Sequence, residues 1–210
     1  MSNQVIDALF QTNAIRVAPQ QTPFWYTSGT LGPFYINTHF LIKDEATAGD
    51  FLKKIETYIA EDKLTMPKKL FLDLLKMYET CDTFKMITDL LTEKLSEYEF
   101  DFISGGERRD YFFSILPSFF LCKPHLSIFK DNTACYSTEN FEKTVLATEV
   151  DLKGKKAIHV ADLITEASSY VRAWIPVIRG LGADITQTVA IIDRHQGGKE
   201  NLAKLGCEMF

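Results

Sequence analysis

The hydrophobic positions change their period along the C-terminal half of the chain. A short apolar run, 157–160, is followed by Asp162 and then by a small polar loop, 165–169. Apolar side chains next recur at helical spacing over 170–181, and a second apolar run covers 186–192. This pattern predicts a strand–loop–helix–strand unit whose two strands are parallel and joined by a right-handed crossover.

The polar loop of this unit is the first candidate binding site. Ligands of open parallel sheets bind beyond the carboxyl ends of the strands, where Asp162 and loop 165–169 are predicted to lie. The loop leads into a helix N-terminus, whose unpaired amides and partial positive charge favour an anion such as phosphate. Ordinary helix capping, worth roughly 1 kcal/mol for each Ser or Thr, explains the same residues. Both interpretations stay open on this evidence.

The remainder of the chain also alternates between helical and extended patterns. In chain order we predict a helix within 1–18 that leads into a strand at 15–17, and then a hairpin within 22–40. Three helices follow: one from 43, one within 61–80 and one that Asp82 is predicted to cap. The next predicted elements are a strand at 100–104, a tight turn at 105–107, a helix that contains Pro117, and a strand at 126–129. Residues 130–144 are polar and aperiodic, which predicts a long mobile loop. The alternation predicts an α/β fold with a mainly parallel sheet flanked by helices.

Composition narrows the functional classes. The 210 residues suit one large domain or a domain with a small appendage, and 46% hydrophobic with 24% charged residues is typical of a soluble globular protein. The net charge of −5 gives no sign of the basic surface that nucleic-acid-binding proteins use. Four cysteines without CxxC spacing favour a reduced, cytoplasmic setting over disulfides or zinc. We find no signal peptide and no membrane-spanning run, and we expect a final strand to be cut short or missing after Phe210.

A second candidate site follows the predicted strand at 100–104. Gly105 and Gly106 would let the backbone approach a ligand closely, and Glu107 stands beside the charged pair Arg108-Arg109. Arginine pairs with phosphate or carboxylate through two parallel hydrogen bonds. A plain turn with solvated charges is the alternative. The two glycines match neither the dinucleotide fingerprint nor a P-loop.

Further candidates are single residues. Arg194 follows the predicted strand at 186–192, where it either binds a ligand or forms a buried pair with Asp193. Phe34 and Tyr35 either stack on a flat base or belong to the core. His159 lies inside a predicted strand, which favours a core role, and the four histidines have no metal-ligand spacing. No metal site is predicted from the protein side chains.

Taken in order, these pieces resemble the orotate phosphoribosyltransferases, within the type I phosphoribosyltransferases. Four segments carry the resemblance: FWYTSGTLGPFYIN at 24–37, ISGGE at 103–107, the stretch 161–169, and IDRHQGGKENL at 192–202. Residues 43–99 are longer than the corresponding region of that family, which suggests an insertion. We therefore divide the chain into an N-terminal hood segment (1–42), a helical region with a probable insertion (43–99) and a phosphoribosyltransferase core (100–210).

The resemblance implies a reaction. A nitrogen of orotate would attack the anomeric carbon of phosphoribosyl pyrophosphate, and pyrophosphate would leave with Mg²⁺ as the cofactor. Catalysis would then consist of placing the reactants and stabilising charge. The resemblance also implies a homodimer, with no nucleic-acid or membrane partner.

The resemblance also implies roles for particular residues. Asp162 would hold the ribose hydroxyls or act as a general base, and Lys130 is the second catalytic candidate because it flanks the predicted mobile loop. The 5′-phosphate would be bound by Thr165, Glu166, Ala167, Ser168 and Ser169. Pyrophosphate would be bound by Gly105, Gly106 and Glu107, and the base by Phe34, Tyr35 and Arg194.

Several positions depart from the family pattern. The first of two adjacent acids is replaced by Ala161, the second Thr of the phosphate loop by Glu166, and its Gly by Ala167. Residues 131–142 contain neither Lys nor His. A unit charge at ~4 Å from another costs roughly 1–4 kcal/mol at dielectrics of 80 to 20, so Glu166 opposes phosphate if it points into the site. The alternative function is therefore an impaired protein of this fold that binds a nucleotide or a partner in a regulatory role.

Overall fold

The candidate site is carried by one large sheet. The computed structural model describes residues 2–19, 22–25 and 31–210, and within these ranges the main sheet has seven strands. The strands are β1 (Ile15–Val17), β2 (Phe24–Trp25), β3 (Leu31–Gly32), β4 (Phe34–Ile36), β5 (Phe102–Gly106), β6 (His125–Ile128), β7 (Ala134–Ser137), β8 (Thr144–Leu146), β9 (Lys156–Ile164), β10 (Asp184–Asp193) and β11 (Glu208–Met209). The helices are α1 (Ser2–Gln11), α2 (Glu45–Glu61), α3 (Met66–Thr80), α4 (Asp82–Ser96), α5 (Tyr111–Phe120), α6 (Ile175–Gly180) and α7 (Gly198–Lys204).

The strand order of the sheet is β11-β10-β9-β5-β6-β7-β8. Strands β5, β6, β9, β10 and β11 are parallel to one another, whereas β7 is antiparallel to β6 and β8 is antiparallel to β7 at one edge. Alternate residues of β9 point to opposite faces, so Ile158 and Val160 pack with α2–α5, whereas Ala157 and Ala161 pack with α6 and α7. The predicted α/β class with a mainly parallel sheet is confirmed.

The N-terminal segment forms two small antiparallel pairs. Strand β1 pairs with β4, and β2 pairs with β3, as expected for a hairpin within 22–40. Residues 26–30, where the turn of that hairpin was predicted, lie outside the described residues.

Three helices, α2, α3 and α4, lie in sequence between the N-terminal strands and β5. Helix α2 begins after Asp44, whose carboxylate accepts a hydrogen bond from the Thr47 amide at 2.7 Å. Pro67 falls in the first turn of α3, where its missing N–H costs nothing. Asp82 is the first residue of α4 and does not cap it, so the predicted cap is wrong; Cys81 takes that position without a side-chain hydrogen bond.

The prediction of a long mobile loop at 130–144 is wrong. Residues 134–146 contain the antiparallel hairpin β7–β8, which joins the main sheet. The Phe141 ring is only 1% exposed and stacks on Phe71 of α3, with ring centroids 4.8 Å apart. Lys68 of α3 also pairs with Glu142 at 2.6 Å. The sequence of this segment is mostly polar, because the hairpin packs on α3 through one buried aromatic ring and an ion pair. Its pattern therefore does not indicate the packing.

The turn predicted at 105–107 also shifts. Gly105 and Gly106 are the last residues of β5, and side chains of the following helices pack directly on their Cα atoms. A Cβ atom at Gly105 would lie 2.1 Å from Ser114 Oγ, and one at Gly106 would lie 2.2 Å from Trp174 Cζ2.

The C-terminal strands are longer than predicted. Strand β9 continues through Asp162 to Ile164, and Glu208–Met209 pairs in parallel with β10 as an edge strand. The helix after loop 165–169 opens with a π-helical turn, Tyr170–Trp174, before α6. In the ranges that the structure describes, no helix combines the length and apolarity needed to cross a membrane.

Candidate active site

A cavity of about 340 Å³ lies at the carboxyl ends of β5 and β9. Its walls are the turn 107–110, Lys130, the end of β9 at 161–164, loop residues 165 and 167–169, and the rings of Tyr170 and Trp174. The two candidate sites predicted from the sequence therefore share one cavity, as expected for neighbouring parallel strands.

Four of the five predicted phosphate-site residues line this cavity. Thr165, Ala167, Ser168 and Ser169 border it, and the helical run that follows begins at Ser168. Ala167 has a φ of 59°, a left-handed backbone that disfavours residues with a Cβ. The loop therefore keeps a bend at this position although alanine replaces the glycine of the family pattern.

The fifth residue, Glu166, lies elsewhere. It is exposed and borders a separate surface hollow with Arg172 and Asn201, and it is not part of the cavity wall. The Asn201 side chain donates a hydrogen bond to the Glu166 carbonyl at 3.1 Å. Glu166 is the departure from the family pattern that most opposes phosphate binding, and its carboxylate is not part of the cavity wall.

The segment after β10 supports the loop from behind. The Arg194 amide donates to the Ile164 carbonyl at 2.9 Å. A Cβ atom at Gly198 would lie 2.5 Å from Ile164 Cγ2 and 2.6 Å from the Thr165 carbonyl oxygen. Gly198 therefore has a packing reason to be glycine, and it fixes the distance between α7 and the loop.

Asp162 lies in the cavity wall beside a carboxyl that the sequence analysis did not select, Asp110. The Asp162 amide donates to Asp110 Oδ1 at 3.0 Å. Burial and the neighbouring Asp110 carboxyl raise the pKa of Asp162 to about 8, against the opposing charge of Arg109. Asp110 immediately follows the Arg108-Arg109 pair at the start of α5, a position where an aspartate is ordinarily taken for a helix cap.

His159 lies directly below this pair of carboxyls. It is fully buried, with Nε2 3.4 Å from Asp110 Oδ2 and Nδ1 2.9 Å from Ser104 Oγ. The core role favoured by its strand position therefore includes a contact with a cavity residue.

Two of the three basic residues that line the cavity, Lys130 and Arg108, are paired with acids. Lys130 Nζ lies 3.4 Å from Glu107 Oε1, and the Lys130 amide donates to Glu107 Oε2 at 3.0 Å. Arg108 forms an ion pair with Glu56 of α2. Lys130 and Glu107 thus line the cavity, whereas Gly105 and Gly106 are buried in β5 and do not line it.

The predicted base-binding residues Phe34, Tyr35 and Arg194 do not line the cavity. The Arg194 guanidinium carbon lies 5.8 Å from the centre of the Phe34 ring, and the Tyr35 ring packs edge-on against Phe24 at 6.0 Å. Arg194 is linked to the cavity wall through its bond to Ile164.

Known proteins with similar sequences are phosphoribosyltransferases of two kinds. The orotate phosphoribosyltransferase of Staphylothermus marinus is 25% identical over 156 residues, covering 72% of each chain. That of Pyrococcus horikoshii is 28% identical over 142 residues, 67% of this chain and 73% of the relative. The adenine phosphoribosyltransferase of Caldicellulosiruptor bescii is 25% identical over 141 residues, 63% of this chain and 80% of the relative. No protein-family model matches the chain.

Solved structures with the same fold carry similar names. The Leishmania donovani UMP synthase matches 99% of this chain with a TM-score of 0.64 at 17% identity, and the match spans 35% of that larger protein. The orotate phosphoribosyltransferase of Aeropyrum pernix matches 98% of this chain and 90% of its own, with a TM-score of 0.56 at 16% identity. The Mycobacterium tuberculosis enzyme, solved with phosphoribosyl pyrophosphate, matches 98% and 92% with a TM-score of 0.56 at 11% identity.

The resemblance predicted from the sequence is confirmed by these relatives, while the choice between orotate and adenine is not made by them. The chain is therefore similar in sequence to orotate and adenine phosphoribosyltransferases, and it shares the fold of the solved orotate phosphoribosyltransferases.

Proposed function

We propose that this protein transfers ribose 5-phosphate from phosphoribosyl pyrophosphate to orotate, forming orotidine 5′-phosphate and pyrophosphate. The observation that carries the proposal is the composition of the loop wall: Thr165, Ser168 and Ser169 share a cavity with Asp162, and Glu166 is outside it. A phosphate at the start of the helical run would meet amides and hydroxyls without facing an adjacent loop carboxylate.

The chain's own residues divide the work by position. Loop residues 165 and 167–169 would bind the 5′-phosphate, and Asp162 would accept hydrogen bonds from the ribose hydroxyls. Arg109 and Lys130, which also line the cavity, would meet the charge that develops on the departing pyrophosphate. Holding both reactants in one orientation removes much of the entropic part of the barrier.

Mg²⁺ belongs to this proposal as the partner of pyrophosphate. In residues 2–19, 22–25 and 31–210, no group of three or more metal-binding side chains forms a complete site. Mg²⁺ is commonly held by one or two carboxylates together with substrate phosphates and water, and the carboxyls of Asp110, Asp162 and Glu107 at the cavity fit that mode. When bound there, Mg²⁺ would neutralise charge on the pyrophosphate oxygens.

Orotate is preferred over adenine because of the residues beside the cavity. A guanidinium group next to an aromatic ring, as in Arg194 and Phe34, suits a flat ring that bears a carboxylate. Adenine has no carboxylate to use this cation.

The assay is orotate consumption with phosphoribosyl pyrophosphate and Mg²⁺. We expect turnover with orotate, none with adenine, and loss of turnover in Asp162→Ala, which removes the side chain from the cavity. Turnover with adenine and none with orotate would contradict orotate as the substrate and indicate adenine instead. Orotate consumption that is unchanged in Asp162→Ala would place the reaction outside this cavity.

A second candidate is a protein that binds a nucleotide or a partner and does not turn over. It is favoured by Ala161 and by the pairing of Lys130 and Arg108 with carboxylates. The β7–β8 hairpin is also packed on α3 and carries no Lys or His at 131–142. Calorimetry separates the two: micromolar binding of phosphoribosyl pyrophosphate supports the enzyme, and binding of orotidine 5′-phosphate alone supports the second candidate. We also propose a homodimer, which light scattering of the purified chain would test.

A further inference from the structure

Lys130 reaches the cavity from a short turn between two strands of the main sheet. This β6–β7 turn, residues 129–133, is closed by a backbone hydrogen bond from the Phe129 amide to the Thr133 carbonyl at 2.9 Å. The Lys130 amide donates to Glu107 Oε2 at 3.0 Å, and the Lys130 ammonium lies 3.4 Å from Glu107 Oε1. The Lys130 side chain is 61% exposed, so its place at the cavity depends on the position of the turn.

A lysine of the helical region contacts three residues of the β6–β7 turn. Lys63 lies between α2 and α3, and its ammonium forms an ion pair with Asp131 and donates to Thr133 Oγ1 at 3.0 Å. The same ammonium lies 4.9 Å from the centre of the Phe129 ring, within the range of a cation–π interaction. One cation therefore ties the residues on both sides of Lys130 to the helical region.

Lys63 is held more firmly than an isolated surface lysine. Its side chain is 31% exposed, and its backbone carbonyl accepts a hydrogen bond from the Cys135 thiol of β7 at 3.5 Å. An isolated surface ion pair contributes little, because two long side chains must be ordered for one contact. Several contacts to one cation share that entropic cost, which favours a single position of the turn.

A second ion pair joins the helical region to the other end of β7. Lys68 of α3 pairs with Glu142 at 2.6 Å, in the turn between β7 and β8. Loss of the ammonium at Lys63 or at Lys68 is the same change in charge, and each releases one tie to the same part of the sheet. The two lysines therefore separate a local effect on Lys130 from a general loosening of the hairpin.

We propose that Lys63 is a positioning residue for Lys130: it fixes the β6–β7 turn so that the Lys130 ammonium stays at the cavity wall. A cation placed in advance need not be ordered when charge develops on a ligand, and a misplacement of about 1 Å can cost about 10²-fold in rate. The role of Lys130 towards pyrophosphate rests on the proposed function, whereas the coupling of Lys63 to Lys130 stands on the contacts of the chain.

The first test follows hydrogen exchange of the Lys130 backbone amide by NMR in the full-length protein. Lys63→Met keeps the aliphatic stem and removes the ammonium, so exchange of this amide should accelerate at least about threefold. Lys63→Arg keeps the charge and its donors, and Lys68→Met releases only the far end of β7. Each of these two variants should leave the rate within about twofold of the unmodified protein.

Two results would overturn the positioning role. One is a Lys130 amide that exchanges at the same rate in folded Lys63→Met as in the unmodified protein. The other is equal acceleration in Lys63→Met and Lys68→Met, which would mean that Lys63 only stabilises the hairpin as a whole.

The second test measures the affinity for inorganic pyrophosphate with Mg²⁺ by calorimetry, in a double-mutant cycle. Lys63→Met should weaken binding about threefold to tenfold, and Lys63→Arg should restore it. In a Lys130→Ala background Lys63→Met should have no further effect, because it acts through Lys130. An equal loss in both backgrounds would overturn that action. If the unmodified protein does not bind pyrophosphate, the proposed function fails, and the amide exchange alone decides the positioning role.

Discussion

Ala167 shows how one residue can depart from a family pattern while the loop keeps its bend. Its φ of 59° lies in the left-handed region, where an alanine is strained by roughly 1–2 kcal/mol. The residue is 5% exposed and lines the cavity, so the strain is held by the packing around it. The site geometry is therefore kept at the expense of local stability.

Replacing Ala167 with glycine should raise the free energy of unfolding by about 0.5–1 kcal/mol, because relief of the strain outweighs the larger entropy loss of glycine. Urea denaturation measures it. Ala203→Gly, an exposed helical position of α7, is the matched control and should lower the same quantity by about 1 kcal/mol. Equal destabilisation by the two variants would contradict a strained loop.

Gly198 makes the opposite prediction. Gly198→Ala would drive a methyl group into Ile164 and the Thr165 carbonyl, so we expect a loss of about 1–3 kcal/mol of stability and weaker binding of phosphoribosyl pyrophosphate. Gly49→Ala, a helical position with open space around it, is the control and should be neutral or slightly stabilising. An unchanged affinity in folded Gly198→Ala would show that α7 does not set the loop position.

At the scale of elements, the main departure from expectation is the β7–β8 hairpin. Phe141→Ala should cost about 3 kcal/mol by removing a buried ring stacked on Phe71. Hydrogen exchange of residues 134–146 should accelerate while the amides of β9 stay protected. Phe10→Ala, at an exposed phenylalanine of α1, is the control. A hairpin that already exchanges at once in the unmodified protein would restore the predicted mobile loop.

How far the sequence predicts the fold depends on whether apolar spacing is visible locally. The runs at 157–160 and 186–192 and the helices near 43 and 82 have clear periods, and all are found in the structure. The hairpin at 134–146 is held by contacts with α3, more than 50 residues away in sequence, which no local pattern contains. Asp110 was missed for the same reason, because two of its partners, His159 and Asp162, are 49 and 52 residues away in sequence.

At the scale of the whole molecule, Asp162 couples the cavity to global stability. Its pKa is raised to about 8 in the folded state, above the ordinary value of about 3.9 expected on unfolding. Between these values the folded protein holds a proton that the unfolded chain releases. Its contribution to stability is thus fully present below the unfolded pKa and is lost as the pH rises through the folded pKa.

The difference in unfolding free energy between the unmodified protein and Asp162→Asn should therefore fall by about 1.4 kcal/mol per pH unit from pH ~5 to ~7. Urea denaturation at several pH values measures this, with Asp50→Asn as the matched control. A difference that rises with pH would mean that Asp162 is stabilised as a carboxylate, contrary to its buried position.

The central claim is that the cavity at 107–110 and 161–169 binds the phosphates of phosphoribosyl pyrophosphate. Its most direct test is calorimetric titration of this compound with Mg²⁺ into the unmodified protein, Ser169→Asp and Glu166→Gln. Ser169→Asp places a carboxylate in the cavity wall, whereas Glu166→Gln removes one from the neighbouring hollow. We predict micromolar binding, weakened at least about tenfold by Ser169→Asp, a change of about 1.4 kcal/mol, and altered less than about threefold by Glu166→Gln. No binding to the unmodified protein, or equal binding to Ser169→Asp, would contradict the account.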